Sequence, residues 1–421
     1  MSLQQRDKKH IWHPLTQHQT AAPPIAIVKA KGALLWDEDG KEYIDGIASW
    51  YTAMYGHCND HIITSVSKQL KELDQVVFTG FTHEPAVQLS ERLMAILPPN
   101  QQKLFFNDNG STAVEAGIKM ALQYHYNKGA KRDTLIAFEE GFHGDTFGAM
   151  SVSGLSVYNG PFEEFFLKVV RIATPTTEQP DALLAQLEEI LENNNCAAFV
   201  YEPLVQGAAG MKFHNAMGLE QLLKRCKHHD VLCIADEVMT GFGKTGRNFA
   251  SEYLDTPPDI MCLSKALTAG VAAMSVTTCT QQVFDAFLGE TISKGFFHAH
   301  TYSANPLACS AAIAGLELLT SNAIQDDGER IYQKHCAFAK RIKKHPKVAS
   351  VRTMGLIFAL DLALETDRYG AVRDLLFAHF MERGVFLRPL GNTIYILPPF
   401  VTTDQQLEQI YGAVESCLPL V

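Results

Sequence analysis

The sequence predicts an α/β protein built on a mainly parallel sheet, with a smaller α+β domain beside it. Three observations carry that expectation. Short apolar runs without helical period recur at 104–106, 134–138, 197–201, 231–235 and 260–263, and such runs suit strands buried on both faces. Amphipathic stretches over 110–129, 180–194 and 218–229 fall between them, giving the rhythm of strand–helix–strand units. Several apolar runs also end abruptly in polar residues, among them Asn107-Asp108-Asn109, Glu139-Glu140, Asp236-Glu237 and Ser264-Lys265. The carboxyl edge of an open α/β sheet is where ligands bind.

Composition bounds the function classes. At 421 residues the chain is long enough for a large domain plus a smaller one. Apolar residues make up 47% and charged residues 19%, the balance of an ordinary globular protein. A net charge of −10 argues against nucleic acid or an anionic membrane as the main partner. No apolar run approaches the length of a membrane span, and the start, MSLQQRDKKHIWHP, lacks the apolar core of a signal peptide. The nine cysteines are scattered without a CxxC, several of them inside apolar runs where Cys acts as a small hydrophobe. A reduced, cytoplasmic enzyme is expected. The histidines show neither HExxH nor paired spacing with Cys, so no metal site is expected.

Taken in order, residues 1–55 are irregular up to a hairpin, in which 32–36 and 42–44 flank the turn Asp37-Glu38-Asp39-Gly40. The aromatics of Ile47-Ala48-Ser49-Trp50-Tyr51 suit either a core or a pocket wall. The strand at 104–106 leads into a helix with Val114, Ile118, Ala121 and Leu122 on one face and Gly129 at its end. Thr112 and Glu115 read as its capping box. Gly110 and Ser111 then stand just before a helix N-terminus, where free N–H groups and the helix dipole attract a phosphate; a plain capped helix explains them equally well.

After the strand at 134–138, Gly141 and Gly144 bracket Phe142-His143, so that backbone and ring can approach a flat ligand closely. Leu183, Leu184, Leu187, Ile190 and Leu191 mark one face of the helix at 180–194. The strand at 197–201 leads into Glu202-Pro203-Leu204-Val205-Gln206-Gly207. The helix at 218–229 carries Lys and His in its last turn, favourable to its dipole.

The organising stretch is 231–266, where one buried strand ends in Asp236 and the next in Lys265. Pyridoxal phosphate (PLP) needs such a pair, a lysine for the Schiff base and an acid to keep the pyridine nitrogen protonated. Lysine suits the covalent role because its pKa falls readily on burial. The same residues also fit a helix-capping Asp and a solvated Lys. Gly243-Lys244-Thr245 is no nucleotide loop, because GxxxxGK[ST] needs glycine where Val238 stands. Further on, His298–Tyr302 precedes Asn305-Pro306 and an Ala-rich helix, and beyond about 320 helices alternate with short strands. The expected division is an N-terminal segment (1–55) belonging to the small domain, a large domain (56–315) and the rest of the small domain (316–421).

Assembled, these residues resemble the class III (ω-) aminotransferases of PLP-dependent transferase fold type I, the aspartate aminotransferase-like fold. The likeness runs nearly end to end, through IWHPLTQ (11–17), DGIASWY (45–51), THEPA (82–86), NDNGSTAVEAGIKMALQY (107–124), GFHGDTFGAMSVSG (141–154), EPLVQGAAGM (202–211), ADEVMTGFGKTG (235–246), CLSKALTAG (262–270), NPLAC (305–309) and FLRPLGN (386–392). It implies a seven-stranded, mainly parallel sheet in the large domain and a homodimer with shared sites. It further implies that Lys265 carries PLP and shuttles the proton, and that Asp236 pairs with the ring nitrogen. Gly110 and Ser111 would hold the phosphate together with His300 and Thr301 of the other subunit. Phe142 would lie on the ring face and Gln206 near its phenolic oxygen.

By the same likeness Trp50, Phe142, Ala299, Arg388, Tyr395 and Leu15 border the substrate. The branch most similar aminates 8-amino-7-oxononanoate in biotin biosynthesis, with S-adenosylmethionine as donor. The family usually has Tyr at the positions of Leu15 and Phe142, which keeps lysine or another amine open as donor, and many relatives have Arg where Lys244 stands. Relatives using ornithine or 4-aminobutyrate are similar in pairing a Glu of the QGxxG loop with an Arg before the final Pro-Pro. This chain has Ala208 and Tyr395 there, which disfavours 2-oxoglutarate. Arg388 is then the expected anchor for the distal carboxylate, its bland alternative being a surface ion pair. The rival readings are another ω-amino acid or diamine aminotransferase, a PLP mutase or decarboxylase, and a PLP-fold protein that only binds a ligand.

Overall fold

In the computed structural model, which describes residues 1–156 and 159–421, the apolar runs all lie in one sheet, four of them in its middle and that at 104–106 in an edge strand. Its seven strands lie in the order Gln101–Asn107, Ser275–Thr280, Ile260–Leu263, Leu232–Asp236, Cys196–Tyr201, Thr134–Phe138 and Val169–Ile172. Four of the inner strands are buried at every residue, as apolar runs without alternation require. The five strands from Ile260–Leu263 to Val169–Ile172 are mutually parallel. Ser275–Thr280 runs antiparallel to both its neighbours. Only a short 3₁₀ turn at Lys265–Thr268 and a loop separate it from the preceding strand, too little chain for a parallel crossover.

The helix Gly110–Asn127 packs across this sheet. A Cβ on Gly117 would sit 3.4 Å from Ile234, Ile260 and Cys262, so the missing side chain sets how closely helix and sheet approach. Its cap differs from the expected one. Asn109 is the N-cap and Thr112 completes the box, with Asn109 Oδ1 accepting from Thr112 N and Thr112 Oγ1 from Asn109 N, each at 3.0 Å. Glu115 is used elsewhere: its Oε1 accepts from Gly148 N at 2.6 Å and Ala149 N at 3.2 Å, tying the next short helix to this one.

The chain's two ends build a common layer. Ile27–Lys31, which the sequence reading missed, pairs antiparallel with Leu34–Asp37, and that strand with Glu42–Asp45. The last of these is parallel to Val385–Phe386, and Leu397 N donates to Gly46 O at 2.9 Å. Val348–Met354, Ile357–Leu362 and Thr393–Ile396 make a separate antiparallel sheet. Its helix Asn322–Ile342 docks through Phe338, whose ring stacks on Tyr411 at 4.2 Å. Among the described residues no single helix is long and apolar enough to cross a membrane.

One local conformation has no glycine to announce it. Ala48, Ser49, Trp50 and Tyr51 have φ of 47°, 46°, 64° and 69°, and Tyr51 N and Thr52 N each donate four residues back at 2.9 Å. This is one turn of left-handed α-helix, which costs L-residues about 1–2 kcal/mol each.

Candidate active site

Asp236 closes its strand and is 3% exposed. Its Oδ2 lies 2.7 Å from His143 Nδ1, and its Oδ1 accepts from Val238 N at 3.0 Å. Burial pushes the His143 pKa down, but the bond to Asp236 and that carboxylate's charge outweigh it and leave the pKa raised. Strand register sets Asp236 beside Cys262, three residues before Lys265.

Lys265 follows its own strand directly in a left-handed conformation, φ 51°. Its Nζ stands 5.3 Å from the centroid of the Tyr51 ring. Burial holds the Lys265 amine below its usual pKa, while Asp236 and Glu202 pull the other way. A lysine amine biased toward its neutral form, beside a carboxylate locked to a histidine, is equipped to attack a carbonyl and to carry a proton.

Glu202 ends the neighbouring strand and was quoted in the sequence without a role. It is 4% exposed, and its two oxygens accept from Phe142 N at 3.1 Å and Gly207 N at 3.0 Å. Burial is the main reason its pKa is pushed up to about 7. The side chain thus joins the loop bearing Phe142, which is 44% exposed, to the loop bearing Gln206. Gln206 is fully buried, yet neither its amide nitrogen nor its amide oxygen has a hydrogen-bond partner among the described residues. Buried polar atoms are seldom left so.

Gly110 and Ser111 begin the long helix. A Cβ on Gly110 would lie 2.8 Å from Val238 Cγ1, so this helix terminus abuts the loop after Asp236. Ser111 Oγ is 2.7 Å from Thr146 Oγ1 and accepts from Thr146 N at 3.0 Å.

Trp50 and Arg388 come together from opposite ends of the chain, the guanidinium 4.7 Å from the indole centroid. The Tyr51 ring, on Lys265, also lies 5.9 Å from that of Tyr395. Arg388 has no carboxylate partner among the described residues, so the surface ion pair weighed for it is absent. Leu15 and Ala299 are exposed. His300 Nε2 is 3.1 Å from His298 Nε2, and its Nδ1 is 3.7 Å from Asp108 Oδ2. Thr301 is exposed and offers its carbonyl to Gln75 Nε2 at 3.0 Å. It does not cap the Pro306–Leu319 helix; Asn305 does.

The sequence reading missed the parts played here by His143, Glu202, Tyr51, Ser153 and Thr146. Ser153 Oγ accepts from His143 N at 3.0 Å. For Glu202 the signal was available, an acid directly after a buried apolar strand, the same signal that picked out Asp236.

Comparison with known proteins gives a consistent picture. The family model described as aminotransferase class-III matches residues 15–418. The adenosylmethionine-8-amino-7-oxononanoate aminotransferase of Synechococcus elongatus is 42% identical, over 97% of this chain and 98% of its own. A crystal structure of the protein of that name from Methanocaldococcus jannaschii superposes with a TM-score of 0.92 at 31% identity, covering 98% of both chains. A PLP-bound amine transaminase from an uncultivated Pseudomonas species gives a TM-score of 0.90 at 29% identity, over 97% of this chain and 98% of that one.

Proposed function

The chain belongs to the class-III aminotransferases, PLP-dependent enzymes of transferase fold type I, and on that premise we propose that it converts 8-amino-7-oxononanoate to 7,8-diaminononanoate in biotin biosynthesis, with S-adenosylmethionine as amino donor. The residues present fit the cofactor. The orphaned Gln206 amide suits a ring oxygen, the Asp236–His143 pair suits a ring nitrogen, and the terminus of the Gly110–Asn127 helix suits a phosphate. When bound, PLP supplies the carbonyl that takes the amino group and a ring that takes up the electron pair freed at the substrate carbon.

In this reading Lys265 would hold the cofactor and would be the group that moves the proton at the reacting carbon. Burial, which lowers its pKa, favours the neutral amine that this task needs. Asp236 would accept a hydrogen bond from the ring nitrogen, and the bond to His143 fixes the direction of its carboxylate. Gly110 and Ser111 offer hydrogen-bond donors to the phosphate, joined by His300 and Thr301 of a second subunit. Phe142 would lie on the ring face. Trp50, Tyr395 and Ala299 line the path of the acceptor, and Leu15 borders it.

Arg388 carries the substrate assignment. An unpaired guanidinium held against an indole is ready for a carboxylate, and a charge-assisted contact of this kind contributes roughly 1.5–3 kcal/mol. The apolar chain of the acceptor would then extend past Trp50 toward Lys265. Ala208 and Tyr395 stand where a keto-acid switch would need Glu and Arg, which favours this acceptor over 2-oxoglutarate. Lysine is the second donor to consider, because Leu15 and Phe142 lack the hydroxyls common in the family. We also propose a cytoplasmic homodimer in which 1–55 and 316–421 form the small domain and 56–315 the large one.

The test is spectroscopic. PLP-loaded enzyme is mixed in turn with S-adenosylmethionine, lysine, ornithine, 4-aminobutyrate and 7,8-diaminononanoate, with no acceptor present. S-adenosylmethionine and 7,8-diaminononanoate are expected to bleach the visible band within one turnover, and Lys265→Ala to abolish the response. Rapid bleaching by ornithine or 4-aminobutyrate with 7,8-diaminononanoate inert would overturn the assignment.

A further inference from the structure

The left-handed turn at residues 48–51 is held from one side and used from the other. On the inner side stands Asp45, fully buried. Its Oδ1 accepts from Ile47 N at 3.2 Å, and its Oδ2 is 2.8 Å from both Ser49 Oγ and His57 Nε2. Thr52 Oγ1 closes the turn on Ser49 O at 2.9 Å. On the other side the two consecutive aromatics meet different partners: Trp50 the Arg388 guanidinium, Tyr51 the Lys265 Nζ and Tyr395. A right-handed turn of the same residues would rotate the rings in the opposite sense and separate these pairs. Four L-residues do not keep left-handed dihedrals unless their surroundings over-determine them. The Asp45 carboxylate, reaching the backbone before the turn, a side chain within it and a histidine after it, is the group placed to do so.

We propose that Asp45 and Ser49 are positioning residues for the acceptor: by locking residues 48–51 into a left-handed turn they set the Trp50 indole against Arg388 and so fix the direction of its guanidinium. The inference rests on the reading of Arg388 as the carboxylate anchor. Ser49→Ala removes the hydroxyl that bonds Asp45 and keeps the Cβ, so the turn loses one of its restraints while its backbone preference is little changed. The effect belongs to Arg388 and not to the chemistry at Lys265, so acceptor KM moves and the donor half-reaction does not.

The experiment combines a mutant cycle with one spectroscopic signal. Ser49→Ala is expected to raise acceptor KM on the order of 10-fold, the scale of a lost hydrogen bond to a charged group, with the S-adenosylmethionine half-reaction unchanged. Added to Arg388→Ala, it is expected to change KM less than about twofold, because coupled residues are not additive. With Trp12→Phe and Trp36→Phe leaving Trp50 as the sole tryptophan, Arg388→Ala, Ser49→Ala and Asp45→Asn are all expected to shift the indole emission in the same direction. Equal KM effects of Ser49→Ala with and without Arg388 would overturn the proposal. So would a Trp50 emission that responds to Arg388→Ala but to neither clamp substitution. If Arg388→Ala leaves acceptor KM unchanged while all three variants shift the emission, the positioning stands and the carboxylate reading of Arg388 falls.

Discussion

Glu202 is an acid with two backbone N–H partners and no cation in ion-pair contact among the described residues. Burial raises its pKa from 4.5 to about 7. The sign of the resulting pH dependence follows from proton counts. Between about pH 4.5 and pH 7 the unfolded chain has released this proton and the folded chain retains it, so folding stability falls as pH rises through that window. At 1.36 kcal/mol per unit the share of Glu202 is about 3 kcal/mol at most. Chemical denaturation of the apoenzyme from pH 4.5 to 8 should show that decline, and Glu202→Gln should flatten it; a slope unchanged in Glu202→Gln would refute the assignment. The places of Asp236 and Lys265 at the ends of two strands were legible in the sequence because apolar runs without helical period precede both. The His143–Asp236 bond was not, because its partners are 93 residues apart and meet only through the loop after Thr134–Phe138.

The Gly110–Asn127 helix shows how an element is made ready for a ligand. Asn109 and Thr112 satisfy its terminus reciprocally, Glu115 ties it to the helix Phe147–Ser151, and Ser111 is gripped by Thr146. Gly144 makes that grip possible: its φ is +123°, and a Cβ there would lie 2.4 Å from Ser111 Oγ. Gly144→Ala must therefore displace Ser111 as well as strain its own backbone. We expect the dissociation constant for PLP, titrated into apoenzyme, to rise on the order of 10- to 100-fold, the equivalent of one or two lost charge-assisted bonds. An unchanged constant would remove Ser111 from the phosphate site. At this scale the sequence was informative wherever one force dominated: runs buried on both faces reveal strands, and periodic leucines reveal helices. Ser275–Thr280 went unread because its threonines and serine are satisfied by side-chain bonds that no local pattern announces. The turn at 48–51 went unread because left-handed backbone is normally signalled by glycine, and here a buried aspartate takes that role.

If His300 and Thr301 act across a dimer interface, as proposed, one chain alone lacks part of its phosphate site. Thr301 is exposed, and the N-cap role that would account for it locally belongs to Asn305. Phe297 and Tyr302 on the same segment, and Val77 just after the Gln75 that bonds Thr301, are 70%, 61% and 56% exposed. Solitary exposed hydrophobes are ordinary, whereas a contiguous apolar patch marks an interaction site. In a symmetric dimer the same patch serves both copies, so each subunit would complete the other's site. Sharing of this kind can be separated from simple dimerisation by complementation. Lys265→Ala destroys the site that its own subunit anchors, and Thr301→Arg, placing a bulky side chain at the interface loop, destroys whichever site that loop completes. If the loop reaches across, a hybrid of the two inactive variants regains one intact site, formed by Lys265 of one chain and Thr301 of the other. Co-expressed variants purified through different tags should then recover about half the activity of wild-type dimer per hybrid, while each homodimer stays inactive. If Thr301 serves its own subunit, each of the hybrid's two sites carries one of the defects and no activity returns. Sedimentation of the same hybrid would show dimers in either case, so only recovered activity decides whether the sites are shared.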